Sequence, residues 1–408
     1  MEAIGVLNGT VKHYDWGGYA FIPSLLGINN DEKRPYAEYW MGVHTQAECL
    51  VNQSDGSVRL LRDYFSSMSP TALGEYVIRR FGNLPYLLKT LDVRDMLSIQ
   101  VHPSKQTAEE GFAEENKRGI PLDSPLRNYK DDNHKPELAV AVSDFWLLHG
   151  FKPENELKST LESVPELKAF FPEFEKNRYQ GLYRTLMEMP QATVNLTLQP
   201  LLDRIIPLYN QNKLSKDSPD YWAARAAITF NNTNDKLDRG IFSIYLFNLV
   251  YLKRGEAIFQ DAGVPHAYLE GQNVEIMANS DNVLRGGLTT KSVDVPELLR
   301  NVVCEPTYPK ILTGEGSGPE LIYKTPAPDF ELSSFSLKAG ETIELHPAGA
   351  EIYLLIEGEL EMGDENNQLV LKKGNPSALV LPGHVLRIKA RQGSWLFRAS
   401  VPHPHVDN

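Results

Sequence analysis

Cysteine is scarce in this chain, with two residues, Cys49 and Cys304, among 408. They stand far apart and outside any Cys-x-x-Cys spacing, which excludes a disulfide-stapled scaffold and a thiolate metal centre and leaves two reduced thiols expected to be buried. Long apolar runs are missing too. The most apolar stretch, Ile244 to Leu252, is interrupted by Asn248 and is about half of the ~20 residues a membrane span needs, so it reads as a buried strand. The first residues, Met1-Glu-Ala-Ile-Gly-Val-Leu-Asn-Gly, hold no basic segment ahead of a long apolar run; no secretory signal is expected, and the cytoplasm is the expected compartment. Positive charge is in deficit: 41 Lys and Arg against 53 Asp and Glu give a net charge of -12. Such a surface repels phosphate backbones and anionic lipid, so neither nucleic acid nor a membrane is an expected partner. An anionic small molecule would need a local basic pocket.

What is present is turn chemistry and strand composition: 29 Gly, 27 Pro and 18 Tyr in a chain 42% hydrophobic and 23% charged. The length suggests two or three domains. Short apolar segments at Leu84 to Leu91, Leu97 to Val101 and Glu137 to Leu148 have strand lengths, with a long polar connection from Glu109 to His134 reading as a lid or rim loop. After Pro153 the spacing turns helical at Leu157, Leu161 and Val164 and again around Leu182, Leu186 and Met187; Pro172, Pro190, Pro200 and Pro207 are expected to break this region into several short helices. Strand character resumes at Gly240. The organisation expected is one β domain built from residues 1–152 and 230–312, a helical insertion at 153–229, a Gly-rich linker at Thr313 to Pro319 and a second all-β domain at 320–408, with strands at Phe330 to Leu337 and Glu351 to Met362.

Four segments carry chemistry. In Leu97-Ser-Ile-Gln-Val-His102, strand alternation puts Ser98, Gln100 and His102 on one face and Leu97, Ile99 and Val101 in the core. At Asn133-His-Lys-Pro-Glu-Leu138 the same rule groups Lys135 with Glu137, and Pro136 at a strand start costs no ladder bond. Gly263-Val-Pro-His-Ala-Tyr268 presents His266 at a strand mouth with Tyr268 on its face. Taken singly each segment fits a solvated strand face or a structural histidine. Together, Gln100, His102, Glu137 and His266 offer two imidazoles, a carboxylate and an amide oxygen, a set suited to zinc, and also to iron or manganese. The fourth, Asp281-Asn-Val-Leu-Arg285-Gly-Gly-Leu-Thr-Thr-Lys291, is either a surface loop with two ordinary cations or, given the metal-type cluster, a phosphate grip in which Gly286 and Gly287 let backbone approach a ligand closely.

The Gln-Val-His-Pro run, Tyr129 to Leu138, Gly255-Glu-Ala-Ile-Phe with Pro265-His-Ala-Tyr268, and Asp281 to Thr289 resemble the type I mannose-6-phosphate isomerases, as do Tyr14-Asp-Trp-Gly17 and Ala37 to Gly42. The likeness runs nearly the whole chain, in order. It implies a mainly β fold with a helical insertion: a catalytic cupin-type jelly-roll barrel, an α-helical domain and a C-terminal barrel. It implies one Zn2+ per chain on Gln100, His102, Glu137 and His266, active-site roles for Lys135, Tyr268, Glu275, Asp281 and Arg285, and phosphate contact from Ser98, Arg285 and Lys291. Its reaction interconverts mannose 6-phosphate and fructose 6-phosphate through an enediolate, with Lys135, Glu275 or a zinc-bound water as the group exchanging the proton. Gly286 and Thr290 depart from the family's usual Ala and Pro. In the second domain, Gly340, His346, Glu351 and Gly358 echo a cupin motif, but Ala348 replaces a ligating histidine; a barrel without metal is expected there, with His346 and Glu351 at its surface or rim. The partner implied is a small sugar phosphate, acted on by a monomer or homodimer. Rival readings are a cupin oxygenase on the two-histidine, one-carboxylate triad and a non-catalytic sugar-binding cupin.

Overall fold

The computed structural model describes residues 3–53, 55–67, 70–230 and 236–403. The described residues are mainly β with several helices, their strands arranged in three antiparallel sheets. The sheet that concerns function has ten strands. Its axis is the long strand His266–Ala278, whose first half pairs with Ile99–Val101 and Phe145–Phe151 and whose second half pairs with Tyr86–Val93 and Glu137–Ala141. Ala257–Gln260 adds to Glu137–Ala141, and Leu284–Gly287 to Ile99–Val101. The segment read as one strand, Glu137 to Leu148, is therefore two strands broken at Ser143 and Asp144, each paired with a different half of the axis.

Helices cover one side of this sheet. Glu154–Ser163, Phe171–Glu188, Gln191–Asn210 and Pro219–Phe230 bury Leu157, Leu182, Leu198 and Trp222 in a cluster shared with Ile99, Val101 and Leu148 of the sheet. Each such large side chain removed from water contributes roughly 1.5–3 kcal/mol. Ile99 and Val101 thus face the helices, as the alternation requires, and Gln100 between them faces the other way. Two helical expectations are corrected. Pro200 and Pro207 do not end helices but lie inside Gln191–Asn210; they are seven residues apart on its exposed face, where carbonyls left unpaired by a missing N–H reach water, while Val194, Leu198, Leu201, Leu202 and Ile205 are buried. The start of the apolar run is a helix, Gly240–Leu246, before the strand Phe247–Leu252. Every residue of that helix is buried, so it carries no amphipathic period by which to tell it from a strand. Asn248, which interrupts the run, donates its amide to carbonyls of His149, Phe151 and Thr307 at a bulge.

The polar connection from Glu109 is likewise part helix: Lys105–Lys117, capped by Ser104 accepting from the Thr107 N–H, precedes a shorter loop. Among the described residues no helix is long and apolar enough to cross a membrane. Cys49 is buried and Cys304 half-buried, both unpaired.

The remaining sheets come from the C-terminal residues, with one exception. The eight-stranded sheet runs Glu320–Tyr323, Glu331–Leu337, Ser394–Ser400, Glu351–Glu357, Ser377–Val380 and then Ile4–Asn8, Leu50–Asn52 and Val58–Leu60, so three N-terminal strands cross the expected domain boundary. A four-stranded sheet, Thr342–Leu345, Leu386–Ala390, Leu360–Gly363 and Gln368–Leu371, lies with it around a separate core. Glu351 is not at the surface: it is buried and accepts the Tyr353 hydroxyl at 2.6 Å, with burial pushing its carboxyl up against the pull of Arg398. His346 is exposed, as expected.

The two β units are not independent. One apolar cluster holds Leu138 and Val274 of the first together with Leu332, Ile352, Leu354 and Phe397 of the second. Tyr86, fully buried, sends its hydroxyl from the ten-stranded sheet to the carbonyls of Ala350 and Ala399, 3.1 and 2.9 Å away. Removing one donor strands buried acceptors. Tyr86→Phe is expected to lower the stability of the whole chain by about 1–3 kcal/mol, seen as an earlier single urea transition; two transitions, with only one shifted, would show instead that the units unfold separately.

Candidate active site

The axis strand places His266 at one end and Met277, the register partner of Glu137, near the other. Along a straight strand those positions would stand roughly 36 Å apart. In the folded chain Glu137 Oε2 is 3.4 Å from His266 Nε2. The sheet curls back on itself, through a register shift after Tyr268 and Gly271 at φ +121°, a backbone conformation suited to glycine.

Into the enclosed space project the four polar groups of the sequence reading. His102 Nε2 lies 3.3 Å from Glu137 Oε1, and Lys135 Nζ 2.9 Å from the same oxygen. His102, Glu137, His266 and Lys135 are each at least nine-tenths buried, and Gln100 is half-buried. Gln100 is the register partner of both His266 and Arg285 and lines the same cleft. Each imidazole turns its Nδ1 to a backbone carbonyl, His102 to Asn282 at 2.8 Å and His266 to Val264 at 3.0 Å. A carbonyl only accepts, so in the neutral rings Nδ1 carries the proton and Nε2 a lone pair. Both lone pairs then face one carboxylate. His102 Nε2 has no hydrogen-bond partner among the described residues, and burial pushes its imidazole down to about 4, which opposes protonation. His102, Glu137 and His266 offer ligand atoms within 4.8 Å of one another. Lone pairs converging on a buried anion call for a cation between them, and a two-histidine, one-carboxylate donor set with an amide oxygen nearby fits zinc.

Electrostatics sort the remaining groups. Burial pushes the Glu137 carboxyl up, but Lys135 and the imidazoles outweigh it and hold it well below the usual carboxylate range. Burial and the charge of Glu137 push Glu275 up, against the pull of Lys89 and Lys135. Tyr268 donates its hydroxyl to Glu275 Oε2 at 2.8 Å, and Lys89 lies 3.4 Å from Glu275 Oε1 and 3.8 Å from Glu38. Burial opposes the Lys89 charge, yet these carboxylates hold it protonated. Asp281 meets His44 at 3.4 Å and Gln46 at 3.1 Å. The whole constellation opens into a cleft of about 840 Å³ that Ser98, Arg285 and Lys291 also line. Arg285 and Lys291 have no ion-pair partner among the described residues, and the charge of Arg285 pushes Lys291 down. Two cations without an ion-pair partner among the described residues stand in a cleft that carboxylates such as Glu38 and Glu275 also line, in a chain of net charge -12.

Several site residues escaped the sequence reading. Lys89, Glu38, His44 and Asn282 gave partial signals at most: Lys89 is a lone cation in the apolar Tyr86-Leu-Leu-Lys-Thr-Leu, and its partner Glu275 is across the sheet, 186 positions on in sequence. Asn282, fully buried, binds the peptide groups of Lys130, Asp131 and Asn133 through its amide, pinning the loop ahead of Lys135 to the strand of Arg285. The family-like Tyr14 to Gly17 and Ala37 to Gly42 runs put Trp16, Glu38 and Trp40 on the cleft wall.

Residues 5–154 match the family model "Phosphomannose isomerase type I, catalytic domain". The mannose-6-phosphate isomerase of Escherichia coli strain K12 is 37% identical over 391 residues, 93% of this chain and 97% of its own. The chain belongs to the mannose-6-phosphate isomerase family. A plant member, mannose-6-phosphate isomerase 1 of Arabidopsis thaliana, is 30% identical over 97% of this chain and 93% of its own. Among solved structures, the mannose 6-phosphate isomerase from Salmonella typhimurium bound to substrate and zinc superposes with a TM-score of 0.86 at 33% identity, covering 98% of this chain and all of the other.

One expectation about this isomerase needs revision. The glycines after Arg285 serve packing: a Cβ on Gly286 would stand 2.9 Å from Ile99 Cγ2 and 3.0 Å from the Tyr183 hydroxyl, and one on Gly287 2.5 Å from Gly240 Cα. In this chain Tyr183 and Ile99 fill the space that the alanine usual in the family would need. Gly286→Ala is expected to cost about 1–3 kcal/mol by overpacking, and adding Tyr183→Phe to return part of it. Urea titration of the single and double variants checks this; unchanged stability of Gly286→Ala would show the pocket to be slack.

Proposed function

We propose that this chain is a zinc-dependent aldose–ketose isomerase that interconverts mannose 6-phosphate and fructose 6-phosphate through an enediolate. The observation that carries the reading is the juxtaposition in one cleft of the His102, Glu137 and His266 cluster with an unpaired Arg285 and Lys291. Gln100, His102, Glu137 and His266 would hold one zinc ion. Bound there, zinc supplies Lewis-acid polarisation of the sugar's carbonyl and hydroxyl oxygens. The family relatives and the zinc- and substrate-bound Salmonella structure support this assignment.

Arg285, Lys291 and Ser98 would grip the phosphate at the mouth of the cleft, and the Arg285 guanidinium would balance negative charge developing on the sugar oxygens. The reaction takes a proton from carbon 2 and returns one to carbon 1, so it needs a group that is basic yet able to give the proton back. Glu275 suits this role: burial beside Glu137 makes its carboxylate more basic than an exposed one, and the Tyr268 hydroxyl fixes the orientation of its Oε2. Lys135 and Asp281 are the other groups within the cleft placed to relay protons. Two cations waiting for an anion favour an isomerase of sugar phosphates over an oxygenase on the same triad.

The fold would comprise a catalytic cupin-type barrel from residues 1–152 and 230–312, a helical insertion at 153–229 and a metal-free C-terminal barrel at 320–408, with the three N-terminal strands lent to the second unit's sheet.

Fructose 6-phosphate formation from mannose 6-phosphate is expected to stop on chelation and return on adding zinc; turnover that survives complete metal removal would overturn the zinc assignment. Arg285→Ala is expected to lower turnover by about 10²-fold or more while zinc content stays at one per chain. Near-normal turnover in that variant would remove Arg285 from the reaction.

A further inference from the structure

Below the metal-type cluster lies a polar pair that the reaction does not use. His149 and Gln260 are both buried, with His149 Nδ1 donating to Gln260 Oε1 at 2.7 Å. Their positions are specific. His149 is the register partner of His266, and Gln260 that of Glu137, so each member stands beside one of the two groups that the curled sheet must bring together. The strands that carry them, Phe145–Phe151 and Ala257–Gln260, do not pair with each other. The hydrogen bond therefore crosses the interior from one wing of the sheet to the other, where no ladder bond can.

The pair is a poor solution if packing were its purpose. Gln260 Nε2 is buried with no partner among the described residues, and two aliphatic side chains would fill the same inner face without an unsatisfied amide. What a directional bond provides, and apolar contact does not, is a fixed separation. We propose that His149 and Gln260 form a positioning brace that sets the distance between Glu137 and His266 and so the affinity of the site for its metal. The inference rests on the zinc reading above and concerns residues that touch neither sugar nor metal.

Zinc dissociation constants, read by competition with a chromophoric chelator, test it on the full chain. Gln260→Leu and His149→Leu are each expected to weaken zinc binding about 10- to 100-fold, the range for groups that orient metal ligands. The double variant should be no weaker than either single one, because one bond is lost in all three. His149→Asn, which keeps an N–H donor near the Nδ1 position, is expected to bind within about threefold of the unaltered chain. Leucine variants that fold and bind zinc as tightly as the unaltered chain would overturn the brace. Should they fail to fold by circular dichroism, a folded His149→Asn variant weakened tenfold or more would overturn it, and retained affinity in that variant would support it. An unaltered chain that is folded but binds no zinc defeats the metal reading itself, an outcome separable from failure of the brace.

Discussion

Glu137 keeps its two carboxylate oxygens 2.9 Å from the Lys135 ammonium and 3.3 and 3.4 Å from the Nε2 atoms of His102 and His266, at the buried floor of the cleft. A buried anion is tolerable only when its surroundings are fixed, because desolvation costs several kcal/mol unless partners are held in place. The rest of the fold answers that demand. The axis strand curls to bring His266 over Glu137, Asn282 fixes both the His102 ring and the loop leading to Lys135, and Val264 orients His266 from within the same turn.

Surrounding elements supply stiffness rather than chemistry. The helices press on Ile99 and Val101, so that the strand carrying Gln100 is clamped from its outer side, while the eight-stranded sheet shares a core with Leu138 and Val274 next to Glu137 and Glu275. His134, three residues before Glu137, bonds Asp329 at 2.8 Å, a further link between the catalytic sheet and the C-terminal unit. Groups on or next to strands that are backed on both sides, as Gln100, His102, Glu137 and His266 are, need little reorganisation if charge develops beside them.

Much of the site was legible in sequence because it sits on strands or on the extended residues just beside them, where the two-residue period assigns a face to each side chain. Ser98, Gln100 and His102 separated cleanly from Ile99 and Val101, and Lys135 from the core on the same ground. What stayed hidden was relational. Lys89 is one charge in an apolar strand until the sheet sets it against Glu275, and His149 is an ordinary buried histidine until its register with His266 is known. Helix Gly240–Leu246 was misread because burial on all sides erases its period, and Pro200 and Pro207 because proline's penalty falls away on an exposed helical face. Strand Ile4–Asn8 joins the C-terminal sheet through Ser377–Val380, more than 360 positions away in sequence, and no local pattern announces such a partner.

The helical segment also has a direct hold on the cleft wall between Arg285 and Lys291. The Asp238 carboxylate, just ahead of helix Gly240–Leu246, accepts N–H groups from Gly240, Leu288 and Thr289. Between them Gly287 at φ +124° lets the chain lie against Gly240, and Leu288 is held at φ +52°, a costly conformation for a leucine. Three hydrogen bonds to one charged group are a strong enough anchor to impose that strain. Arg285 and Lys291 flank this anchored turn, and the charge of the first opposes that of the second. On the proposed reading, a phosphate held between them would relieve that repulsion, and the anchored turn would keep both charges at hand for it.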